Sequence, residues 1–98
     1  MSEINGALSG LKIVACSTAQ AGTVPYMLMA DLGAEVIKIE TPGKGDNNRN
    51  SGFLEGEIGS FFETNNRGVK SLTLNLKSEN GQKILHSLIK DADVFGQN

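Results

Sequence analysis

A chain of 98 residues has room for one small domain, and such a chain buries only about two thirds of its unfolded surface. Hydrophobic residues make up 39% and charged residues 20%, with 12 glycines and 2 prolines, which excludes disordered, collagen-like and coiled-coil classes. A net charge of -2 gives no basic excess for nucleic acid, no apolar run approaches a membrane span, and a single cysteine fits a cytoplasmic location without a disulfide framework.

In chain order, Leu11 to Cys16 is apolar and β-prone, bounded by Gly10 and by a small polar turn, and reads as a buried strand. The turn is Ser17-Thr18-Ala19-Gln20-Ala21-Gly22. A helix follows from about Thr23 to Leu32. Pro25 is tolerated in its first turn, Val24, Met27, Leu28 and Leu32 fall at helical spacing, and Gly33 stops it. Glu35 to Glu40 is a second strand. Strand, helix and strand within about 30 residues form a βαβ unit with parallel strands. Thr41 to Arg49 is loop chemistry throughout, the loop region runs on to about Gly59, a length typical of functional or disordered segments, and Ser60 to Glu63 forms a short helical turn.

The third strand, Lys70 to Leu76, alternates strictly, with Leu72, Leu74 and Leu76 on one face. Ser78 then caps a helix with Glu79 in its first turn and an apolar stripe of Ile84, Leu85, Leu88 and Ile89. Asp93-Val94-Phe95 opens a fourth strand. The expected fold class is α/β: the N-terminal, incomplete part of a Rossmann-like doubly wound parallel sheet, as a single unit over residues 1–98.

Ligands of such sheets sit beyond the carboxyl ends of the strands. Four polar segments fall there: Ser17 to Gly22, Thr41 to Arg49, Asn75 to Lys77, and Gly96 to Asn98. The turn at Gln20, Ala21 and Gly22 opens a helix, whose free N–H groups suit an anion. The plainer reading is a tight turn with small residues for packing. Lys44, Arg49, Arg67, Lys70 and Lys77 offer positive charge for a phosphorylated ligand, and Lys77 is best placed because it ends a strand. Solvated surface charge is the alternative for each. Asp46, Glu55 and Glu57 lie in loop, with nothing to pin two carboxylates at a working separation. His86 reads as a surface or half-packed helix residue and Cys16 as a small buried one. One histidine and one cysteine cannot build a metal cluster, so no metal is expected.

Several of these runs carry a likeness. Leu8-Ser9-Gly10-Leu11-Lys12-Ile13-Val14 resembles the opening of family III CoA-transferases, the group of formyl-CoA transferase and the carnitine CoA-transferase. Ala30 through Glu40, then Pro42-Gly43 and Gly45-Asp46, resembles the family's most recognisable N-terminal run, and Asn66-Arg67 with Lys70 to Lys77 resembles another. The likeness extends from about Leu8 to Asn98.

The resemblance implies transfer of CoA from an acyl-CoA donor to a small carboxylic acid acceptor through an aspartyl intermediate. CoA is then a substrate, with no tightly bound cofactor. It implies interlocked homodimers for whole enzymes of the family, and a catalytic aspartate beyond Asn98, so no catalytic residue is assigned in this chain and the 98 residues alone are expected to be inactive. Carried over position by position, Gln20 and Ala21 match a turn that contacts CoA. Leu74, Asn75, Leu76 and Lys77 match a second contacting stretch, and Asn98 begins a third. Thr41 stands where many relatives carry an arginine for the nucleotide portion of CoA, which leaves Lys44 or Arg49 to compensate. Three other readings stay open. One is a dinucleotide-binding domain of an oxidoreductase, favoured by Glu40 about 18 residues after Gly22 but opposed by a turn without its glycines. The others are a relative of the 2-methylacyl-CoA racemases and a non-catalytic assembly module.

Overall fold

The computed structural model describes residues 6–18, 22–50, 54–55 and 58–98. Its main sheet has four strands: β1 (Lys12–Cys16), β2 (Glu35–Glu40), β5 (Lys70–Thr73) and β6 (Val94–Gln97). All pairings are parallel, and the order is β5-β2-β1-β6. The chain therefore builds outward from β1 to β2 to β5 and then returns to the other side of β1. That return creates a switch point between β1 and β6, as in doubly wound sheets.

Two helices connect the strands, α1 (Val24–Asp31) and α3 (Glu79–Lys90). They cover opposite faces. Ile13, Ala34 and Val36 pack with Tyr26, Met29 and Ala30 on the α1 face. Val14, Ile39 and Leu74 pack with Leu72, Leu76, Leu85, Leu88 and Ala92 on the α3 face. The alternation of β1 and β2 splits their apolar residues between the two layers, so that Ile13-Val14-Ala15 of β1 is a continuous apolar run, while β2 gives Val36 to one layer and Ile37 and Ile39 to the other.

The expected elements are present, with corrections. β2 has the expected limits, but β5 stops at Thr73 rather than Leu76. Its neighbour sets that limit: Glu40, the last residue of β2, pairs with Thr73, and the chain then turns away at Thr41 and Pro42. Leu74 adds one further bond from its N–H to the Glu40 carbonyl, and Leu72, Leu74 and Leu76 still share the α3 face. The stretch from Thr41 to Gly59 is not all loop. It contains a 3-10 helix at Asn47–Asn50 and an antiparallel pair, β3 (Leu54–Glu55) with β4 (Ile58–Gly59). The expected helical turn at Ser60 extends to α2 (Ser60–Asn65).

On α1, Leu28 and Leu32 do not face the core; they are 50% and 48% exposed, whereas Met27 is buried. This helix is apolar nearly all round, so spacing alone left its phase open. On α3, Ile84 is also outside the stripe. Gly81, Leu85, Leu88 and Ala92 run down the inner side instead. Ser78 caps α3 as expected, its Oγ accepting from the Gly81 N–H at 2.9 Å.

Candidate functional site

The carboxyl ends of β1, β2 and β5 open onto a cleft of about 150 Å³. Its floor is apolar, from Ile39, Leu74 and Leu76, and its rim is polar, from Ser17, Thr18, Thr41 and Asp46. A second, more polar depression of about 220 Å³ shares Glu40, Thr41 and Gly45 and adds Lys44, Arg49, Ser71 and Thr73.

The wall between them is an ion-pair network that starts on β2. Val36, Lys38 and Glu40 share one face of that strand by simple alternation. Val36 meets the α1 core, but toward the carboxyl end the face turns charged. Lys38 is buried, and its Nζ donates to Asp46 Oδ2 at 2.7 Å and to the Ser17 carbonyl at 3.0 Å. Asp46 is held at both ends, because its own N–H donates to Glu40 Oε2 at 2.9 Å. Its second carboxylate oxygen accepts from the Asn48 N–H at 2.9 Å. Glu40 in turn accepts from Arg49 through Nε at 2.8 Å and NH2 at 2.6 Å, and from Ser71 Oγ at 2.6 Å. The Arg49 guanidinium also lies over the Phe62 ring, 3.8 Å from its centroid.

Burial pushes the Glu40 carboxyl up, but the Arg49, Ser71 and Asp46 hydrogen bonds and the Arg49 charge override it and hold the group at about 2. The turn into Asp46 needs Gly45, whose φ of 66° is left-handed and whose missing side chain leaves room for Glu40 and Arg49.

At the switch point, Asn98 imitates a strand. Its Oδ1 accepts from the Thr18 N–H at 3.1 Å, and its Nδ2 donates to the Thr18 carbonyl at 3.0 Å. The turn after β1 is closed by Ser17 Oγ, which donates to the Gly22 carbonyl at 2.7 Å.

The residues singled out in the sequence are distributed unevenly about this edge. Leu74 and Leu76 line the cleft together with Thr18, which Asn98 grips. Asn75 and Lys77 are exposed beside it, with Asn75 Oδ1 accepting from the Lys77 N–H at 3.0 Å. Gln20 and Ala21 lie outside the described residues. Of the five cations, Arg49 is committed to Glu40, so it is not free to replace an arginine at Thr41. Arg67 pairs with Asp31 and Lys70 with Glu35, at or before the start of β5, away from the cleft. Lys44 and Lys77 keep ammonium groups with no anionic partner among the described residues. His86 is exposed and Cys16 is half-buried, its thiol pushed up by burial.

Asp46, a loop carboxylate with no pinning partner evident in the sequence, is instead fully buried in the network. The signal for it was present: a lysine and a glutamate on one face of a buried parallel strand demand partners, and the next Gly-Asp and arginine supply them. Glu40 is occupied by Arg49, Ser71 and Asp46, which removes the feature that favoured a ribose-binding acid.

No helix among the described residues is long and apolar enough to cross a membrane. The family model of CoA-transferase family III matches residues 8–98. An acyl-CoA transferase of Fusarium pseudograminearum is 40% identical over 99% of this chain and 23% of its own length. A human succinyl-CoA:glutarate CoA-transferase is 41% identical over 93% of this chain and 21% of its own. The crystal structure of a CAIB/BAIF family protein from Brucella suis superposes with a TM-score of 0.89 at 36% identity, covering 97% of this chain and 26% of that one. The chain thus spans about a quarter of the length of the curated relatives it matches. Matched from its first strand to its last, and sharing their parallel α/β fold, the chain belongs to CoA-transferase family III.

Proposed function

We propose that these residues, as one N-terminal portion of a larger domain, form part of the CoA site of an enzyme that moves CoA from an acyl-CoA donor to a small carboxylic acid. The observation that carries this reading is the meeting of Thr18, Leu74, Leu76 and Asn98 at one carboxyl edge. An apolar floor with a polar rim suits an extended ligand arm that alternates methylene and amide groups. Lys44 and Lys77, which have no anionic partner among the described residues, stand nearby as cations for its phosphates.

The chemistry proposed for the whole enzyme needs an aspartate outside these residues. Its carboxylate attacks the thioester carbonyl and expels CoA thiolate, giving a mixed anhydride. The thiolate then attacks the aspartyl carbonyl, releasing the donor acid and leaving an aspartyl-CoA thioester. The acceptor carboxylate attacks that thioester and expels CoA thiolate, giving a second mixed anhydride; the thiolate then attacks the acceptor's carbonyl, which forms the new acyl-CoA and frees the aspartate. Asp46 and Glu40 are poor candidates for that nucleophile, because both are buried and neutralised by cations. We place the enzyme in the cytoplasm and as an interlocked homodimer on the strength of the sequence reading and the resemblance.

The test is an NMR titration of the 98-residue chain with CoA and, separately, with NAD. CoA should shift the amides of Thr18, Leu74 to Lys77 and Asn98, and NAD should not. Shifts from NAD alone, or from CoA at surfaces remote from this edge, overturn the reading.

A further inference from the structure

The structure assigns Lys38 as a positioning residue: from inside the sheet it fixes the spacing between the two loops that wall the carboxyl-edge cleft. The side chain is 4% exposed and that of Asp46 is 0% exposed, so this is a dry ion pair. Such pairs are weak contributors to stability, since desolvation offsets most of their attraction. Apolar residues of similar size would fill the space at least as well. What an apolar pair could not do is bond two separate loops at fixed distances. The Lys38 ammonium bonds the Ser17 carbonyl, in the turn after β1, and the Asp46 carboxylate, in the loop after β2. Ser17 and Asp46 both line the cleft, from the separate loops that follow β1 and β2.

The two bonds are anchored further on each side. Ser17 Oγ closes the turn onto Gly22, and Asp46 organises the start of the 3-10 helix through the Asn48 N–H. Glu40, two residues along the same strand face, holds the Asp46 backbone. Lys38 therefore bonds both loops at once, without itself lining the cleft. A ligand that spans both walls would feel the loss of Lys38 as a loss of preorganisation.

This inference rests on the CoA reading only for its ligand, so its test carries a second readout. Lys38→Met alone strands a buried carboxylate and should lower the melting temperature. The decisive variant is the double substitution Lys38→Met with Asp46→Asn, which removes both charges and keeps an acceptor for the Asn48 N–H. We expect its melting temperature to recover toward the parent's. We also expect amide exchange at Ser17, Thr18, Gly22 and Gly45 to Arg49 to quicken about tenfold, with α3 unchanged. CoA affinity should fall about tenfold despite the recovered stability. Parent-like exchange in both loops in the stable double variant overturns the assignment, and so does parent-like CoA affinity. If the parent chain itself ignores CoA, the functional reading fails, while the exchange result still decides the role of Lys38.

Discussion

Glu40 is the most heavily bonded carboxylate described in the chain, and its titration should be visible in the protein's stability. Held at about 2 against an ordinary 4.5, it contributes fully above pH 4.5. Its contribution then fades as the pH falls toward about 2, because the unfolded chain takes up the proton first. The exposed Asp31 is lowered too, by its hydrogen bond from Arg67, and works in the same direction. Glu40→Gln keeps the shape but removes the charge facing Arg49, and should cost about 2 kcal/mol at neutral pH. Urea unfolding of parent and variant from pH 7 down to pH 2 checks both points. The variant should show a shallower loss on the acid limb. Parallel acid limbs would mean that the Arg49 pair contributes nothing net. Individual residue types announced themselves in the sequence, whereas this network did not, because its members are separated by turns whose path no local pattern defines. The alternation Glu35-Val36-Ile37-Lys38-Ile39-Glu40 did say that two charges share a face with a core valine. It did not say that Asp46 and Arg49 would fold back onto them.

Helix α3 shows how a rule of propensity reverses under packing. Ser78 caps it, accepting from the Gly81 N–H and donating to the Asn75 carbonyl at 2.9 Å, so Ser78→Ala should cost about 1 kcal/mol. Gly81 lies inside the helix, where alanine ordinarily gains about 0.5–1 kcal/mol over glycine. Here a methyl group would overlap the backbone oxygen and carbon of Asn75. Gly81→Ala should therefore destabilise the protein, and by more than Ser78→Ala. It should also disturb the Asn75 to Lys77 turn that borders the cleft. Thermal melts of the two variants decide the order, and a melting temperature raised by Gly81→Ala would show that the turn yields freely. The cap was legible from Ser78 and Glu79 because capping is local. The close approach was not, since it depends on where the strand end lies relative to the helix. The same division explains the helix faces. The inner line of α3 runs through a glycine, which carries no hydrophobic signal, and α1 has too few polar residues to mark an outer side.

Over the whole molecule, the sequence made the βαβ unit and the alternation of elements legible, but the order of strands is a long-range property. β1 and β6, far apart in the chain, pair from Ile13 with Val94 to Cys16 with Gln97, and just before β6 Asp93 clasps Lys12, with Lys12 N–H to Asp93 Oδ2 at 2.9 Å and Asp93 N–H to the Lys12 carbonyl at 2.8 Å. That pairing makes β1 central, and the buried centre of the sheet is narrow: Ile13, Val14, Ala15 and Val36 are 1–3% exposed, whereas Val94 and Phe95 on β6 are 37% and 45% exposed. Protection should follow this gradient. Amides of β1 and β2, flanked by strands on both sides, should exchange only through global unfolding. Those of β5 and β6, each with one neighbour in the sheet among the described residues, should exchange faster through local opening. Ile13→Ala, which empties the α1 core, should cost about 3 kcal/mol and speed exchange in β1 and β2 by the full amount. Because β6 and β5 open locally, their amides should respond less to that substitution. If β6 instead slows and quickens in step with β1, the sheet unfolds as one unit. The switch point held by Asn98 and Thr18 would then be as firm as the core itself.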